Sequence, residues 1–254
     1  MMNATSIALA GGAALVAGAV NAIAGGGSLI TFPALVAVGL PAVAASATNT
    51  IALCPGYLGA AFAQRRDLVG QGKRVATLGA VGTVGGAVGA FLLLRSGEKT
   101  FTAIVPFLIL IAVLLIGFQA RLRAYLLERM KMQHTETLAV LPVGLAAIYG
   151  GYFGAGMGVM ILAALGVFLS DNIIRINALK QTISLCTNIA AAVILAVWGP
   201  IDWVIVLVMA VGALAGGVLG GAMASRIPAK VLRWTIVGLG TALSAVYFAK
   251  LLRG

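Results

Sequence analysis

The chain has 254 residues, of which 61% are hydrophobic and only 9% charged, with a mean hydropathy of +1.10. A soluble domain carries about 25% charged residues, so this composition excludes an ordinary water-soluble globule and places the chain in a bilayer as a single integral membrane domain. Seventeen basic against six acidic residues give a net charge of +11, but aromatic residues do not alternate with the basic ones, Tyr125 being the one that falls within a basic connector, so the excess is read as a cytoplasmic face and not as a nucleic-acid surface.

The opening "MMNATSIALAGG" lacks the basic segment of a signal peptide, so the first apolar run is expected to belong to the mature fold. Residues 4–40 form a long apolar segment broken by "AGGGSLITFP" at 24–33. A span is predicted over 42–64, followed by the basic connector "QRRDLVGQGKR" at 64–74. Two more spans, 75–94 and 101–120, lead into a second basic connector at 121–137. A second glycine-interrupted segment at 138–170 precedes spans at 176–198, 203–224 and 232–252. Each glycine segment must begin and end on one side, as a re-entrant hairpin or as two full crossings. Lys and Arg then number four in 65–74, four in 121–137, two in 171–180 and three in 225–233 on the inside, against four outside. This bias puts both termini outside. Helical spans imply a cytoplasmic (inner) or plasma membrane and not an outer-membrane barrel.

The two halves are copies. "AGGGSL" at 24–29 corresponds to "GAGMGV" at 154–159, "NTIALC" at 49–54 to "QTISLC" at 181–186, and "GGAVGAFLLLRSGEK" at 85–99 to "GGVLGGAMASRIPAK" at 216–230. The first repeat covers 4–120 and the second 138–252, joined by 121–137. An odd number of full spans per copy makes the copies antiparallel, and the uncharged-to-acidic connector "GPID" at 199–202, opposite the basic 65–74, agrees. The expected fold is therefore an all-α polytopic membrane protein built from two inverted repeats with glycine-broken helices. Such repeats characterise secondary transporters, which bind substrate near the midplane where broken helices meet.

A "GGGS" break starts a new half-helix whose positive end can hold an anion. The runs at 82–89 and 212–221 are read instead as small-residue packing ridges. Polar residues within apolar segments cost free energy and mark a pathway. The candidate substrate-binding set is Asn21, Gly25, Gly26, Gly27, Ser28, Thr48, Asn49 and Thr50 in the first copy. In the second it is Gly154, Gly156, Gly158, Asn177, Lys180, Gln181, Thr182 and Asn188. Thr31, Ser46 and Ser184 are further polar residues in these segments. Asn49 pairs with Gln181 and Thr50 with Thr182 under the repeat alignment, so these groups are expected to face each other across a pseudo-twofold axis. Amide and hydroxyl donors suit an oxyanion, while the alternative for each is an interhelical hydrogen bond. Lys180 either reaches the cytoplasmic interface or attracts an anion from inside.

These residues resemble the sulfite exporter TauE/SafE family, through "NAIAGGGSLITFPALVAVGLPAVAASATNTIALCPGYLGA" at 21–60, "GGYFGAGMGVMILAALGVF" at 150–168 and "RINALKQTISLCTN" at 175–188. The resemblance implies a secondary transporter exporting sulfite, sulfonates or related organic anions. It also implies that Gly25, Gly26, Gly27, Asn49 and the 154–158 region belong to the translocation site. The second copy departs from an unbroken glycine string in reading "GAGMG".

An enzyme is not expected. His134 is the only histidine and lies in a basic connector, and Asp67, Glu98, Glu128, Glu136, Asp171 and Asp202 all fall in connectors or at span ends. No cofactor or metal is predicted, and Cys54 and Cys186 read as buried packing residues. The partners expected are a small anion and the lipid bilayer, with a homo-oligomer left open. A passive anion channel, or a carrier of another substrate in the same fold, are the competing readings.

Overall fold

The computed structural model describes residues 4–23, 26–129, 136–223 and 229–253, and among them the regular elements are all helical. Gly25, together with Lys131, His134 and Arg226 of the basic connectors, lies outside the described residues. In chain order the helices are α1 (Ala4–Ile23), α2 (Ser28–Ala37), α3 (Ala42–Ala63), α4 (Gly72–Arg129), α5 (Val140–Tyr152), α6 (Met157–Phe168), α7 (Ile173–Trp198), α8 (Trp203–Met223) and α9 (Ala229–Arg253). Short 3-10 turns occupy Arg65–Leu68 and Glu136–Ala139. By length and apolar composition α1, α4 and α7 contain stretches able to cross a membrane.

The 58-residue α4 is two helices. A straight helix of that length would run about 87 Å. Yet Glu136, seven residues past its end, bonds Arg74 in its first turn, and seven residues reach only about 25 Å. The reversal occurs at Gly97, with φ 68° and ψ 166°, a backbone region open chiefly to glycine. The arms, 72–96 and 98–129, are the two expected spans, but the second continues as helix through the first half of the expected 121–137 connector.

The packing exchanges the two halves. Helix α1 lies on α8, where a Cβ on Gly18 would strike the Ala213 carbonyl and one on Gly216 the Leu15 carbonyl. Helix α5 lies in the same way on the first arm of α4, with Gly86 facing Gly151 and Gly89 facing the Ile148 carbonyl. In both pairs the residue numbers rise together, so the helices run parallel. Backbone contact this close is available only to glycine, which accounts for both ridges as packing surfaces. Helices α3 and α7 lie side by side in the opposite sense. Asn177 Nδ2 donates to Gln64 Oε1 at 2.8 Å, and Cys54 Sγ sits 3.7 Å from the Asn188 carbonyl oxygen. Numbers fall along α3 as they rise along α7, so this pair is antiparallel. The second arm of α4 and α9 are also antiparallel, with the Ser244 hydroxyl donating to the Pro106 carbonyl at 3.0 Å and Val113 against Gly240.

The connectors accordingly sort to two ends. The Arg65–Leu68 turn, the Glu136–Ala139 turn and the loop at 169–172 share the basic end, tied by Arg74, Asp171 and Arg175. Gly97 and the loops at 38–41 and 199–202 share the other, where Glu98 accepts from the N–H groups of Ala42 and Val43 and caps α3. Helix α1 starts there too, since it runs parallel to α8. Between the ends, the rings of Phe32 in α2 and Phe153 beyond α5 meet edge to face at 5.2 Å, with Phe101 of α4 beside Phe32 at 6.3 Å. All three are buried.

Candidate functional site

Each glycine-broken segment forms a hairpin. In the first, Gly26 has φ 95°, and the Gly27 N–H donates to Asn21 Oδ1 at 2.8 Å. A Cβ on Gly27 would stand 2.6 Å from the Ala17 carbonyl oxygen, so α2 begins against the side of α1 that the chain has just left. Asn21 is thus used in making the break: its carbonyl takes one of the N–H groups that a helix start leaves unpaired. Three residues into α2, the Thr31 hydroxyl donates to Asn49 Oδ1 at 2.6 Å, which fixes Asn49 of α3 beside the new helix. Ser28, Thr31 and Asn49 are all buried.

In the second hairpin the break is made by two left-handed glycines, Gly154 at φ 84° and Gly156 at φ 81°. The departure from a continuous glycine string therefore does not prevent the break. The Tyr149 hydroxyl holds it by donating to the Ala155 carbonyl at 2.7 Å. Helices α5 and α6, 13 and 12 residues long, measure about 20 and 18 Å, each well short of a 30 Å hydrocarbon core. Glu136, just before α5, and Asp171, just after α6, both bind the Arg74 guanidinium, the latter at 2.6 Å. The hairpin's two feet thus stand together at the basic end and its tip lies deep in the bundle.

At that tip, Gly158 in the first turn of α6 faces Lys180 of α7, whose Nζ lies 3.9 Å from where a Cβ on Gly158 would stand. Lys180 is half-buried and forms no ion pair among the described residues. A helix start carries roughly half a positive charge, so two positive features adjoin without a carboxylate between them. One turn further along α7, Ser184 is fully buried and its hydroxyl has no partner among the described residues. Ser184 is one of the polar residues read from the sequence as marking a pathway, but it stands outside the candidate substrate-binding set. Its spacing of four from Lys180, which puts both on one helical face, was the available signal.

The other expected residues are distributed differently. Thr50 and Thr182 bond back to the carbonyls of Ser46 and Ala178 in their own helices, at 3.0 and 3.1 Å, and Asn188 Nδ2 donates to the Ser184 carbonyl at 2.8 Å. Thr48 Oγ1 accepts from the Asp202 N–H at 3.4 Å. Asn177 is engaged with Gln64 at the basic end. Asn49 and Gln181 do not face each other. With Gln64 beside Asn177 and Cys54 near Asn188, Gln181 lies level with residue 60 of α3, about 17 Å along the pair from Asn49. Because α3 and α7 run in opposite senses, residues aligned by the sequence repeat move apart with distance from the crossing of the two helices. No group of three or more metal-ligating side chains occurs among the described residues.

The family model described as Sulfite exporter TauE/SafE matches residues 10–247. The chain is 30% identical over 242 residues to the probable membrane transporter protein YfcA of Escherichia coli K12, covering 94% of this chain and 87% of that one. It is 31% identical over 215 residues to a probable membrane transporter protein of Haemophilus influenzae, covering 82% and 81%. A probable membrane transporter protein of Sinorhizobium, ORF9, is 25% identical over 232 residues, covering 91% and 88%. No solved structure matches the chain.

Proposed function

The chain belongs to the sulfite exporter TauE/SafE family of membrane transporters, and from that premise we propose that it is a secondary transporter exporting a small anion, such as sulfite or a sulfonate, by alternating access. In this reading the two halves are inverted repeats in the cytoplasmic membrane, the basic end is cytoplasmic, and both termini are outside. The α1–α2 and α5–α6 hairpins enter from opposite sides, with the second one re-entrant. The antiparallel α3 and α7, the exchange of helix pairs between halves, and the two feet of the second hairpin on Arg74 support this arrangement. The substrate lies between the hairpin tips, with Asn49 and the 26–28 stretch contributing from the first half.

The single observation that carries an anionic substrate is Lys180, set against the first turn of α6 with no carboxylate partner among the described residues. A cation and a helix start at depth in a membrane are both costly unless neutralised, and a bound anion does so. With no carboxylate at that position among the described residues, the driving force in this reading is the inside-negative potential, worth about 2.3 kcal/mol per charge per 100 mV and directed outward for an anion. Sulfite flux in proteoliposomes with the potential clamped by ion gradients tests both points. Saturable flux that follows the potential is expected, whereas unsaturable flux would establish a channel, and flux driven by a pH gradient at zero potential would refute the assigned driving force.

A further inference from the structure

Resting on the transporter reading, we propose that the second half alone supplies the counter-charge and the free hydroxyl donor for the anion, one anion per chain, on the cytoplasmic side of the α3/α7 crossing, with Lys180 as the counter-charge and Ser184 as the hydroxyl donor. The second half carries both groups, and the first half has neither. The alignment of "NTIALC" with "QTISLC" sets Thr48 at the position of Lys180 and Ala52 at that of Ser184, and the Thr48 hydroxyl already accepts from Asp202. The pseudo-symmetry of the backbone is therefore not a symmetry of donors.

Ser184 is the independent sign of a ligand. A hydroxyl with no exposed surface and no partner forfeits its hydrogen bonds to water without replacement, at a cost large enough that native structures rarely leave it so. Its position along α7 places it between Lys180, which reaches Gly158 of α6, and Asn188, whose carbonyl meets Cys54 of α3. It therefore faces the seam between α3 and the tip of the second hairpin. Positions four apart on a helix stand about 6 Å apart along the axis. One ligand reaches both groups only if it presents two or more acceptor oxygens on one central atom. The class is a compact oxyanion, pyramidal, tetrahedral or carboxylate, and not a halide. Because among the described residues Lys180 is the one full cation that faces the position, a singly charged form is preferred over a doubly charged one.

The test uses the full-length protein in proteoliposomes, with sulfite as the transported probe, chloride as a competing probe, and wild type, Ser184→Ala, Lys180→Gln and Arg65→Gln compared. Melting of each purified variant confirms that it is folded. Ser184→Ala is expected to raise the half-saturation for sulfite about tenfold or more, the effect of one hydrogen bond to a charged group, while leaving inhibition by chloride unchanged. Lys180→Gln is expected to weaken both probes, and Arg65→Gln, at the exposed end, neither. Saturable wild-type flux with Ser184→Ala and Lys180→Gln within twofold of it would overturn the site and leave the transporter reading standing. Equal loss of chloride and sulfite in Ser184→Ala would overturn the oxyanion selectivity. Unsaturable flux identical in all four proteins, or no flux of sulfite, methanesulfonate or acetate in wild type, would overturn both readings together.

Discussion

Arg74→Ala should release the feet of the second hairpin. Its guanidinium binds Glu136 before α5 and Asp171 after α6. The Glu136 side chain is 51% exposed, so that arm contributes under about 1 kcal/mol, as surface pairs do. The Asp171 side chain is only 15% exposed and Arg74 is 21% exposed. Breaking a fully buried pair costs about 3–5 kcal/mol, but Asp171 retains Arg175 at 2.9 Å and the Asn172 N–H at 2.7 Å, which reduces this arm to about 1–2 kcal/mol. The sum of about 2 kcal/mol corresponds to a drop of about 4–8 °C in melting midpoint for a chain of this size. The assay is a double-mutant cycle of Arg74→Ala and Asp171→Asn, followed by thermal melting in detergent, with Glu136→Gln as the weaker arm. The pH dependence has a definite sign. The Arg74 hydrogen bond holds the Glu136 carboxyl below its ordinary value. For Asp171, burial pushes upward, but the Asn172 N–H, Arg74 and Arg175 together outweigh it and the carboxyl is lowered. Carboxyls lowered in the folded state stabilise fully above their unfolded values of about 4 and lose that contribution as pH falls through the folded ones. The gap between wild type and Arg74→Ala should therefore be constant from neutral pH to about pH 5 and close below about pH 4. A midpoint change under about 1 °C, or strictly additive costs in the cycle, would refute the latch.

Three further outcomes are expected. Gly86→Ala, whose methyl would strike the Thr187 backbone, should destabilise by about 1–3 kcal/mol through overpacking, whereas Gly217→Ala, which meets nothing within 4 Å, should melt as wild type does; equal melting of the two would refute the ridge as a packing surface. Asn21→Ala, which strands the Gly27 N–H, should cost about 1 kcal/mol, with Asn21→Asp retaining most of it, as read by melting. Asn177→Ala should leave the half-saturation for sulfite unchanged because Asn177 is engaged with Gln64 at the basic end, while Asn49→Ala, which removes the partner of Thr31, should raise it in the same flux assay.

The helices were legible in the sequence because hydrocarbon leaves the backbone little alternative. A chain this apolar must satisfy its N–H and C=O groups within helices, so basic connectors and glycine runs mark where the helices stop. Residues 42–64, 176–198 and 203–224 were expected as spans on those grounds, and the structure places α3, α7 and α8 there. The glycine ridges and the break at 154–156 were likewise visible, since only glycine permits the backbone contacts of Gly86 with Gly151 or the left-handed turn of Gly156. The registers between helices were not visible, because a polar side chain in oil takes whichever partner the packing brings within reach. That Asn177 meets Gln64, that Thr31 takes the Asn49 carbonyl, and that Gln181 stands far along the bundle from Asn49 follow from the antiparallel alignment of α3 and α7. Ser184 shows the same dependence in reverse: its type and spacing stand in the sequence, but only the surrounding helices decide that its hydroxyl is sealed from solvent with no partner among the described residues.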